Sequence, residues 1–401
     1  MERSGRPGRR EPRRDTLEIR TLVRFTSLVA SSPLSNSPPK LRWPLAGPPE
    51  DQEPLSQELR DPHSGHDELA GLEFFHVNAK RIINAVPEAA NLPFRFTINP
   101  YRGCSHACVY CFARPTHEYL DLNPGTDFDS RIIVKVNAPE RLRAELKSPR
   151  WTGEAIALGT NTDPYQRCEG RYRLTRRILE TLVEFGNPFS ILTKSTLILR
   201  DLDLLVGASK RGHVEVAFSV GSVDREVWRR TEPGTPNPLK RLEAVAALNA
   251  AGVPCGVLIA PILPGISDHP AQIREVVRAS VEAGATDITA ISLHLRPGVR
   301  EHYLSWLGSA RPDLVAGHLA RYRYGANLPA EERRRLGAEV RRLVDRERAR
   351  QRPAHKLRPA PSRIRQTARR AQGGDNPDRQ LTLPGLVDNG PRADPAPVKA
   401  A

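Results

Sequence analysis

The sequence is poor in several residue types, and each shortage excludes a class of protein. The 401 residues include one Met, five Cys and 5% aromatic residues. No apolar run reaches the ~18 residues of a membrane-spanning helix, so we expect no membrane partner. The first residues are charged and lack an apolar segment followed by a cleavage site, so we expect no secretory signal. Three of the five Cys fall between 104 and 111, which excludes a disulfide framework and predicts a metal site in a cytoplasmic protein.

Positive charge, in contrast, is in excess. The 61 Lys and Arg residues outnumber the 46 Asp and Glu residues and give a net charge of +15, and only nine of the 61 are Lys. An excess of this size favours an acidic partner such as nucleic acid. Much of the charge lies at the two ends of the chain, so it says less about the centre.

Composition divides the chain into four parts. Residues 1–72 are rich in Arg, Pro and Ser, which predicts a mostly disordered arm. Residues 73–310 alternate short apolar runs with helix-period segments and are the predicted catalytic core. Residues 311–350, with Glu331–Arg350, are expected to be a charged helical extension, a solvated cover rather than a site. Residues 351–401 are predicted to be a disordered basic tail.

The central part contains six strand–helix units in series. The predicted strands are Phe94–Ile98, Ala155–Leu158, Phe189–Leu192, Val214–Phe218, Gly256–Ile262 and Ile288–Leu293. The predicted helices between them are Pro139–Lys147, Leu174–Phe185, Arg200–Ser209, Pro238–Ala251 and Ala271–Ala283. This alternation indicates an α/β fold with parallel strands covered by helices. Periodicity alone leaves two solutions open, an open doubly wound sheet and a closed or partial barrel.

One loop carries most of the chemical information. Cys104, Cys108 and Cys111 follow the first predicted strand at CxxxCxxC spacing. Thiolates are soft ligands for iron–sulfur clusters or zinc. Three Cys ligands leave one iron of a cubane cluster open to a cofactor or substrate. A structural zinc site would need a fourth ligand, such as His106 or a distant Cys, and neither suits the loop.

The loop and three later segments resemble a known family. Tyr110 precedes the last Cys, as in the radical S-adenosylmethionine (radical SAM) signature, and residues 99–120 are similar to the DNA-repair-photolyase-like branch related to spore photoproduct lyase. Residues 159–166, 191–195 and 232–236 resemble that branch as well, and the resemblance runs from about Phe75 to Tyr324.

The resemblance implies a fold, a cofactor pair and a reaction. The fold would be a partial (β/α)6 barrel of the TIM type. Cys104, Cys108 and Cys111 would bind a 4Fe–4S cluster, and S-adenosylmethionine would chelate the open iron. A reductant such as flavodoxin or ferredoxin would supply the electron that cleaves the cofactor to a 5′-deoxyadenosyl radical, which abstracts a hydrogen atom from the substrate. The branch implies that the substrate is a nucleic-acid lesion. It also implies that the enzyme acts as a lyase.

Further residue roles follow from the same resemblance. Tyr110 is expected to pack near the adenine of the cofactor. Gly159 and Thr160 occupy the place of the family's Gly-rich contact to the cofactor's amino group, although this sequence has GTNTD there instead of GGE. Ser219 is expected near the ribose or carboxylate. The catalytic residue that meets the substrate is unknown. Cys168 is taken as a buried Cys rather than a hydrogen-atom donor.

Two features lie in the arms. Gln380–Leu383 resembles the short peptide that binds the bacterial sliding clamp, with Pro384 in place of the expected Phe. The family usually begins near Leu41, so residues 1–40 are expected to be an over-extended start. Two alternative functions stay open at this point. One is a nucleic-acid-binding protein with a structural zinc loop, and the other is a radical SAM enzyme that modifies RNA or protein.

Overall fold

The computed structural model describes residue 69, residues 71–88 and residues 92–351. Its strands are β1 Glu73–Val77, β2 Ile83–Ala85, β3 Phe96–Ile98, β4 Tyr101–Arg102, β5 Arg131–Lys135, β6 Ile156–Leu158, β7 Phe189–Thr193, β8 Val214–Ser219, β9 Cys255–Ile262 and β10 Ile288–Ser292. Its α-helices are α1 Thr126–Ser130, α2 Ala138–Leu146, α3 Glu169–Tyr172, α4 Leu174–Glu184, α5 Leu202–Ser209, α6 Arg225–Thr231, α7 Pro238–Ala250, α8 Pro270–Glu282, α9 Val299–Ala310, α10 Val315–Arg321 and α11 Ala330–Gln351. Short 3-10 helices cover Arg114–Leu120, Thr196–Asp201 and Pro312–Leu314.

Six of these strands form a parallel sheet in the order in which they occur along the chain. The order is β10-β9-β8-β7-β6-β3, with β2 antiparallel at the edge beside β3. A doubly wound sheet reverses its strand order at a switch point. The sequential order therefore resolves the alternative left open by periodicity. The expected partial (β/α)6 barrel is confirmed, and all six predicted strands are present.

Local signals explain where the covering helices begin and end. In α7 the Asn237 side chain accepts a hydrogen bond from the Leu239 amide, and Pro238 occupies the first helical position. Gly252, with φ of 81°, follows the end of the helix. The helix turns its apolar face, with Leu242, inward onto the main core between strands and helices.

A second, three-stranded sheet was not expected from the sequence. It has the order β1-β5-β4, with β1 parallel to β5 and β4 antiparallel to it. The strand β4 ends immediately before the cysteine loop, so this small sheet fixes where the loop starts. The Lys135 ammonium donates to the Asn99 carbonyl at 2.7 Å and joins the small sheet to the end of β3.

The C-terminal extension corrects one expectation. The predicted helix is present as α11, but it is more than a solvated cover. Val340, Leu343 and Val344 are buried in the main core, and α11 packs against α8 and β10. The helix therefore covers the edge strand of the parallel sheet, which would otherwise expose apolar side chains and unpaired backbone groups.

No helix in the described ranges is long and apolar enough to span a bilayer. The expected arms, including the start at 1–40, and the Gln380–Leu383 motif lie outside the described residues.

Candidate metal and cofactor site

The cysteine loop lies at the carboxyl end of the first barrel strand, next to β4. Gly103 begins it with φ of 84°, and a Cβ there would lie 2.9 Å from the His117 ring. Ala107 adopts a left-handed conformation with φ of 52°. Tight turns bring the three thiols to one side, with the Ala107 amide donating to the Cys104 carbonyl at 3.1 Å. The loop thus has a defined shape. It also lies at the carboxyl ends of the strands, where parallel α/β folds place their functional sites.

The three thiols are close enough to affect one another's ionisation. Cys104 and Cys108 are buried, Cys111 is partly exposed, and none of the three forms a disulfide. Burial raises the pKa of the Cys108 thiol to about 12, while the nearby Lys194 ammonium opposes that rise. Burial also raises the pKa of Cys104, with Cys111 and Cys108 contributing through repulsion. A metal must therefore displace these protons when it binds.

The donor set fits an iron–sulfur cluster. Three soft thiols lie on one loop beside cationic side chains, and the Ser105 hydroxyl is buried without a hydrogen-bond partner. Lys194 and Arg241 lie close enough to favour negative charge at Cys108. In residues 71–88 and 92–351, no three His, Cys, Asp or Glu side chains are placed to hold a single metal ion.

The segment after β6, the second strand of the barrel, contacts the first half of the cysteine loop at Gly103 and Ser105. The Thr162 hydroxyl donates to the Gly103 carbonyl at 2.7 Å, and the Gln166 amide donates to the same oxygen at 3.1 Å. The Gln166 side-chain oxygen accepts from the Ser105 amide at 3.0 Å. All these groups are buried, so leaving one unpaired would cost about 1–3 kcal/mol. The motif at 159–166 therefore holds the cysteine loop in place through these hydrogen bonds.

Gly159 and Thr160, expected to contact the cofactor, lie at the start of this segment. Gly159 has φ of 87°, and a Cβ there would lie 1.9 Å from the Leu192 carbonyl oxygen on β7. Thr160 Oγ1 lies 3.3 Å from the side-chain amide of Asn99. Both positions face the cysteine loop at the carboxyl end of the strands. Their contact to a cofactor stays a prediction.

The segment after α6 holds the second half of the loop. The Gly234 amide donates to the His106 carbonyl at 3.1 Å, and the Val109 amide donates to the Thr231 carbonyl at 3.0 Å. A Cβ on Gly234 would lie 2.1 Å from the Ser105 carbonyl oxygen. Only a glycine permits this close approach of two backbones. The cysteine loop is therefore clamped between segments from two different strand ends.

A buried hydrogen-bond network links Tyr110 to this clamp. The Tyr110 hydroxyl and the Arg241 guanidinium both donate to the Glu232 carboxylate. Arg241 is fully buried and also donates to the Ser219 carbonyl at 3.0 Å. Burial opposes ionisation of Glu232, but Arg241 and Lys194 outweigh it and lower the pKa of the carboxyl. The Glu232 carboxylate is thus a fixed negative charge behind Tyr110.

Ser219, the other expected cofactor residue, ends β8 beside this network. Its hydroxyl donates to the Ala260 carbonyl at 2.7 Å, and its own carbonyl accepts from Arg241. The structure thus connects Ser219 to Tyr110 through two intermediate residues. An approach of Ser219 to the ribose or carboxylate stays a prediction.

Lys194, which follows β7, lies within electrostatic range of Cys108 and Cys111. Its ammonium lies 5.7 Å from the Tyr110 ring centroid. Burial alone would lower the pKa of Lys194, but Cys108 and Glu232 reverse that and raise it. The Asp163 carboxylate accepts from the backbone amide of Lys194 at 2.7 Å and keeps this strand end in place. Lys194 therefore brings a charged ammonium to the cluster side of the barrel.

His106, the possible fourth ligand within the loop, contacts a carboxylate in the structure. Its Nδ1 lies 3.4 Å from the Asp163 carboxylate. Burial lowers the pKa of His106 to about 4, so the ring is neutral at pH 7. The contact is one between a neutral ring and a carboxylate, and it ties the loop to the segment after β6.

Arg114 supports the end of the loop from the opposite side. It is fully buried, and its guanidinium donates twice to the Cys108 carbonyl, at 2.9 and 3.2 Å. It also donates to the Pro124 and Gly125 carbonyls and pairs with Asp129 at 2.9 Å. The Arg114 side chain therefore sets the backbone between Cys108 and Cys111.

A small pocket adjoins Tyr110 at the ends of β8 and β9. Its lining residues are Tyr110, Gly221, Ser222, Val227, Trp228, Thr231, Glu232, Pro261, Leu263 and Ser267. One wall is the Tyr110 ring, and the others mix apolar side chains with hydroxyl groups. Flat aromatic groups with a polar edge suit such a wall.

Cys168 and Cys255 lie outside the cysteine loop, although Cys168 is close enough to Cys104 for that thiol to raise its pKa. Cys168 is fully buried with Tyr101, Tyr172 and Leu174. Cys255 is buried at the start of β9. Burial raises the pKa of each thiol, so neither has thiolate character at neutral pH. Both are packed in cores, as expected from the sequence.

Several residues of the site were not singled out from the sequence. Arg114, Glu232 and Arg241 carry the buried charges, and Gln166 carries the central amide. Arg241 gave the clearest signal, because a charged residue stands in the apolar stripe of α7 that includes Val245 and Leu248. Buried charges need partners, so such a position indicates a buried ion pair.

Comparison with known proteins agrees with this geometry. The model of the Radical SAM superfamily matches residues 98–277. An uncharacterised protein of Mycobacterium tuberculosis (strain H37Rv) is 48% identical over 291 residues, which cover 73% of this chain and 84% of the relative. The chain belongs to the radical SAM superfamily. Membership carries with it a 4Fe–4S cluster and S-adenosylmethionine as cofactors.

Two more distant matches are a named phage enzyme and a solved structure. A radical SAM Nα-GlyT isomerase of Pseudomonas phage M6 is 27% identical over 171 residues, 42% of this chain and 34% of the relative. The structure of a spore photoproduct lyase with a single Cys-to-Ser substitution has a TM-score of 0.51, with 20% identity, 70% of this chain covered and 81% of that chain. At this identity the likeness is one of fold, and it agrees with the partial barrel.

Proposed function

We propose that this chain is a radical SAM enzyme whose 4Fe–4S cluster is held by Cys104, Cys108 and Cys111. The observation that carries the proposal is three free thiols, close enough to affect one another's ionisation, on a loop held by segments from two strand ends and flanked by Lys194 and Arg241. When bound, the reduced cluster and S-adenosylmethionine supply a 5′-deoxyadenosyl radical that abstracts a hydrogen atom from the substrate. The protein contributes position, charge and exclusion of water. The catalytic barrel extends over residues 73–310.

The surrounding side chains supply the cofactor's contacts. Tyr110 and its pocket take the adenine, with the ring fixed by the Glu232 carboxylate. The Lys194 ammonium is the group best placed to pair with the cofactor's carboxylate. Gly159 and Thr160 meet the amino group, and Ser219 approaches the ribose or the carboxylate. The cationic side chains also balance the negative charge that three thiolates bring to the cluster.

The substrate we propose is a lesion in DNA. A structure of spore photoproduct lyase in complex with a dinucleoside spore photoproduct matches this fold with a TM-score of 0.50 and 19% identity, covering 70% of this chain and 81% of that one. The net charge of +15 supports an anionic partner. The phage relative, a named isomerase, supports the alternative that the radical rearranges or modifies a different substrate.

Two further parts of the proposal concern the setting of the reaction. Radical SAM enzymes need a one-electron reductant, and a flavodoxin or ferredoxin fits this role. All five thiols are free, which suits the reducing cytoplasm. Contact with a sliding clamp through Gln380–Leu383 stays a proposal of its own.

Anaerobic purification tests the cluster directly. We expect a brown protein with about four irons per chain that cleaves S-adenosylmethionine when reduced. Cys104→Ala should lose colour and cleavage together. Cys255→Ala is the matched control, since it removes a buried thiol outside the loop and should keep both. A colourless wild-type protein that retains one zinc would refute the proposal and favour the structural-zinc alternative.

The substrate is tested separately. We expect cofactor-dependent conversion of at least one member of a pool of synthetic DNA lesions, followed by mass spectrometry of the products. A loaded enzyme that cleaves the cofactor but converts only RNA or protein would overturn the DNA assignment and leave the cluster assignment intact.

A further inference from the structure

The segment 321–325 presents an exposed aromatic side chain beside the barrel mouth. Tyr324 is 92% exposed. In the described part of the chain the other large apolar side chains that stay exposed are Tyr119, Leu239 and Leu319, each near half exposure. Tyr324 therefore offers most of its side chain to solvent.

The segment is held in place by Arg300 in the first turn of α9 and by Leu295, which follows β10. The Arg300 guanidinium donates to the Tyr322 carbonyl at 2.6 Å and to the Gly325 carbonyl at 2.7 Å. The Leu295 amide donates to the Ala326 carbonyl at 2.7 Å. Tyr324 thus stands on a braced backbone.

The same strand end contacts the cysteine loop. Arg296 comes shortly after β10, and its Nε donates to the Phe112 carbonyl at 2.9 Å, next to Cys111. Tyr119 and Glu118 lie within electrostatic range of Arg296. The segment that carries Tyr324 is thus linked to the cysteine loop through Leu295 and Arg296.

The charges of this surface suit an anionic polymer. The Arg323 guanidinium lies 5.6 Å from the Tyr324 ring centroid. Among residues 71–88 and 92–351, no carboxylate forms an ion pair with Arg323 or Arg296. Exposed aromatic rings beside unpaired cations bind single-stranded nucleic acid, because the ring stacks on a base while the cation meets a phosphate.

We propose that Tyr324 and Arg323 form a stacking platform for an undamaged base of the DNA strand whose reacting nucleotide enters the barrel. This inference rests on the proposed function, and it identifies the residues that hold the DNA strand outside the barrel. Stacking is tolerant of sequence, since every base has a π face. The platform therefore positions the strand without selecting its sequence.

Binding of a fluorescently labelled single-stranded oligodeoxynucleotide to the full-length protein tests the platform. We expect Tyr324→Ala to weaken binding about tenfold at each salt concentration, since one stacked base is lost. Tyr324→Phe should bind as the wild type, because it keeps the ring. Arg323→Ala should lower the slope of log affinity against log salt by about one phosphate contact. Leu239→Ala, on the exposed face of α7, is the matched control and should change nothing.

The readouts separate this inference from the proposed function. Tyr324→Ala should keep its iron and its cleavage of S-adenosylmethionine in the absence of DNA, because Tyr324 lies outside the thiol group. Unchanged DNA affinity in Tyr324→Ala, or loss of affinity in both Tyr324→Ala and Leu239→Ala alike, would overturn the platform. Stronger binding of RNA than of DNA that depends on Tyr324 would overturn its assignment to a DNA strand. Loss of iron from the wild type would instead overturn the proposed function.

Discussion

Gly234 offers the sharpest test of how the cysteine loop is held. A methyl group at this position would lie 2.1 Å from the Ser105 carbonyl oxygen and 3.0 Å from the His106 Cα. Non-bonded carbons prefer separations near 3.5 Å, so the two backbones must move apart by more than about 1 Å. Overpacking of this kind costs about 1–3 kcal/mol. We therefore expect Gly234→Ala to lower the melting temperature by about 5 °C, given the size of the barrel.

The movement also displaces the loop that carries the thiols, so iron binding should fall more than stability does. Iron content per chain and circular dichroism, measured on the same anaerobic preparation, check this prediction. Gly308→Ala is the matched control, because no atom lies within 4 Å of the added methyl group and Ala favours the helix. A Gly234→Ala protein with wild-type iron content and melting temperature would refute the clamp.

Two further changes test buried charges. Arg114→Met should lower the free energy of unfolding by about 3–5 kcal/mol, because it leaves Asp129 without its cation. Arg143→Met, at an exposed ion pair, should lower it far less. Urea unfolding measures both. Burial lowers the pKa of His117 to about 4 from 6.5, so the unfolded chain takes up its proton first as the pH falls. The free energy of unfolding should therefore decline between pH 6.5 and 4, by about 3 kcal/mol at most, and decline less in His117→Gln.

The sequence was sufficient for the parallel barrel because its strands and helices carry local signals. Each barrel strand is an apolar run bounded by polar residues, and helices such as α7 have their own start and stop signals. The small sheet was missed for the opposite reason. The segment Arg131–Lys135 is an apolar run, but its partner Glu73–Val77 lies far away in sequence, and no local pattern indicates that pairing.

In the candidate site, too, the local features could be predicted from the sequence and the long-range contacts could not. The thiols were found because their spacing is a local pattern. Their supports were not, because Gln166 and Glu232 reach the loop across 61 and 122 residues of sequence from their partners Ser105 and Tyr110. Tertiary contacts of this length are fixed by the fold. The sequence shows that residues 159–166 and 232–236 resemble motifs of the family. Only the structure shows that these two segments hold the cysteine loop from two sides.

The clamp has a consequence for how the cluster and the fold depend on each other. In zinc fingers the metal supplies the folding free energy, and the metal-free chain is unfolded. Here the backbone groups of the loop are already paired, including the Gly103 carbonyl with Thr162 and the His106 carbonyl with Gly234. The loop therefore keeps its shape without iron, and the barrel does not depend on the metal.

Chelation of iron tests this independence. We expect the iron-free protein to keep its far-ultraviolet circular dichroism and to unfold in a single transition within a few degrees of the loaded form. It should also regain about four irons on anaerobic reconstitution, whereas Cys104→Ala should not. A metal-free protein that loses its helical signal would contradict the preformed loop, because it would mean that the thiols are brought together by the cluster and not by the segments around Thr162 and Gly234.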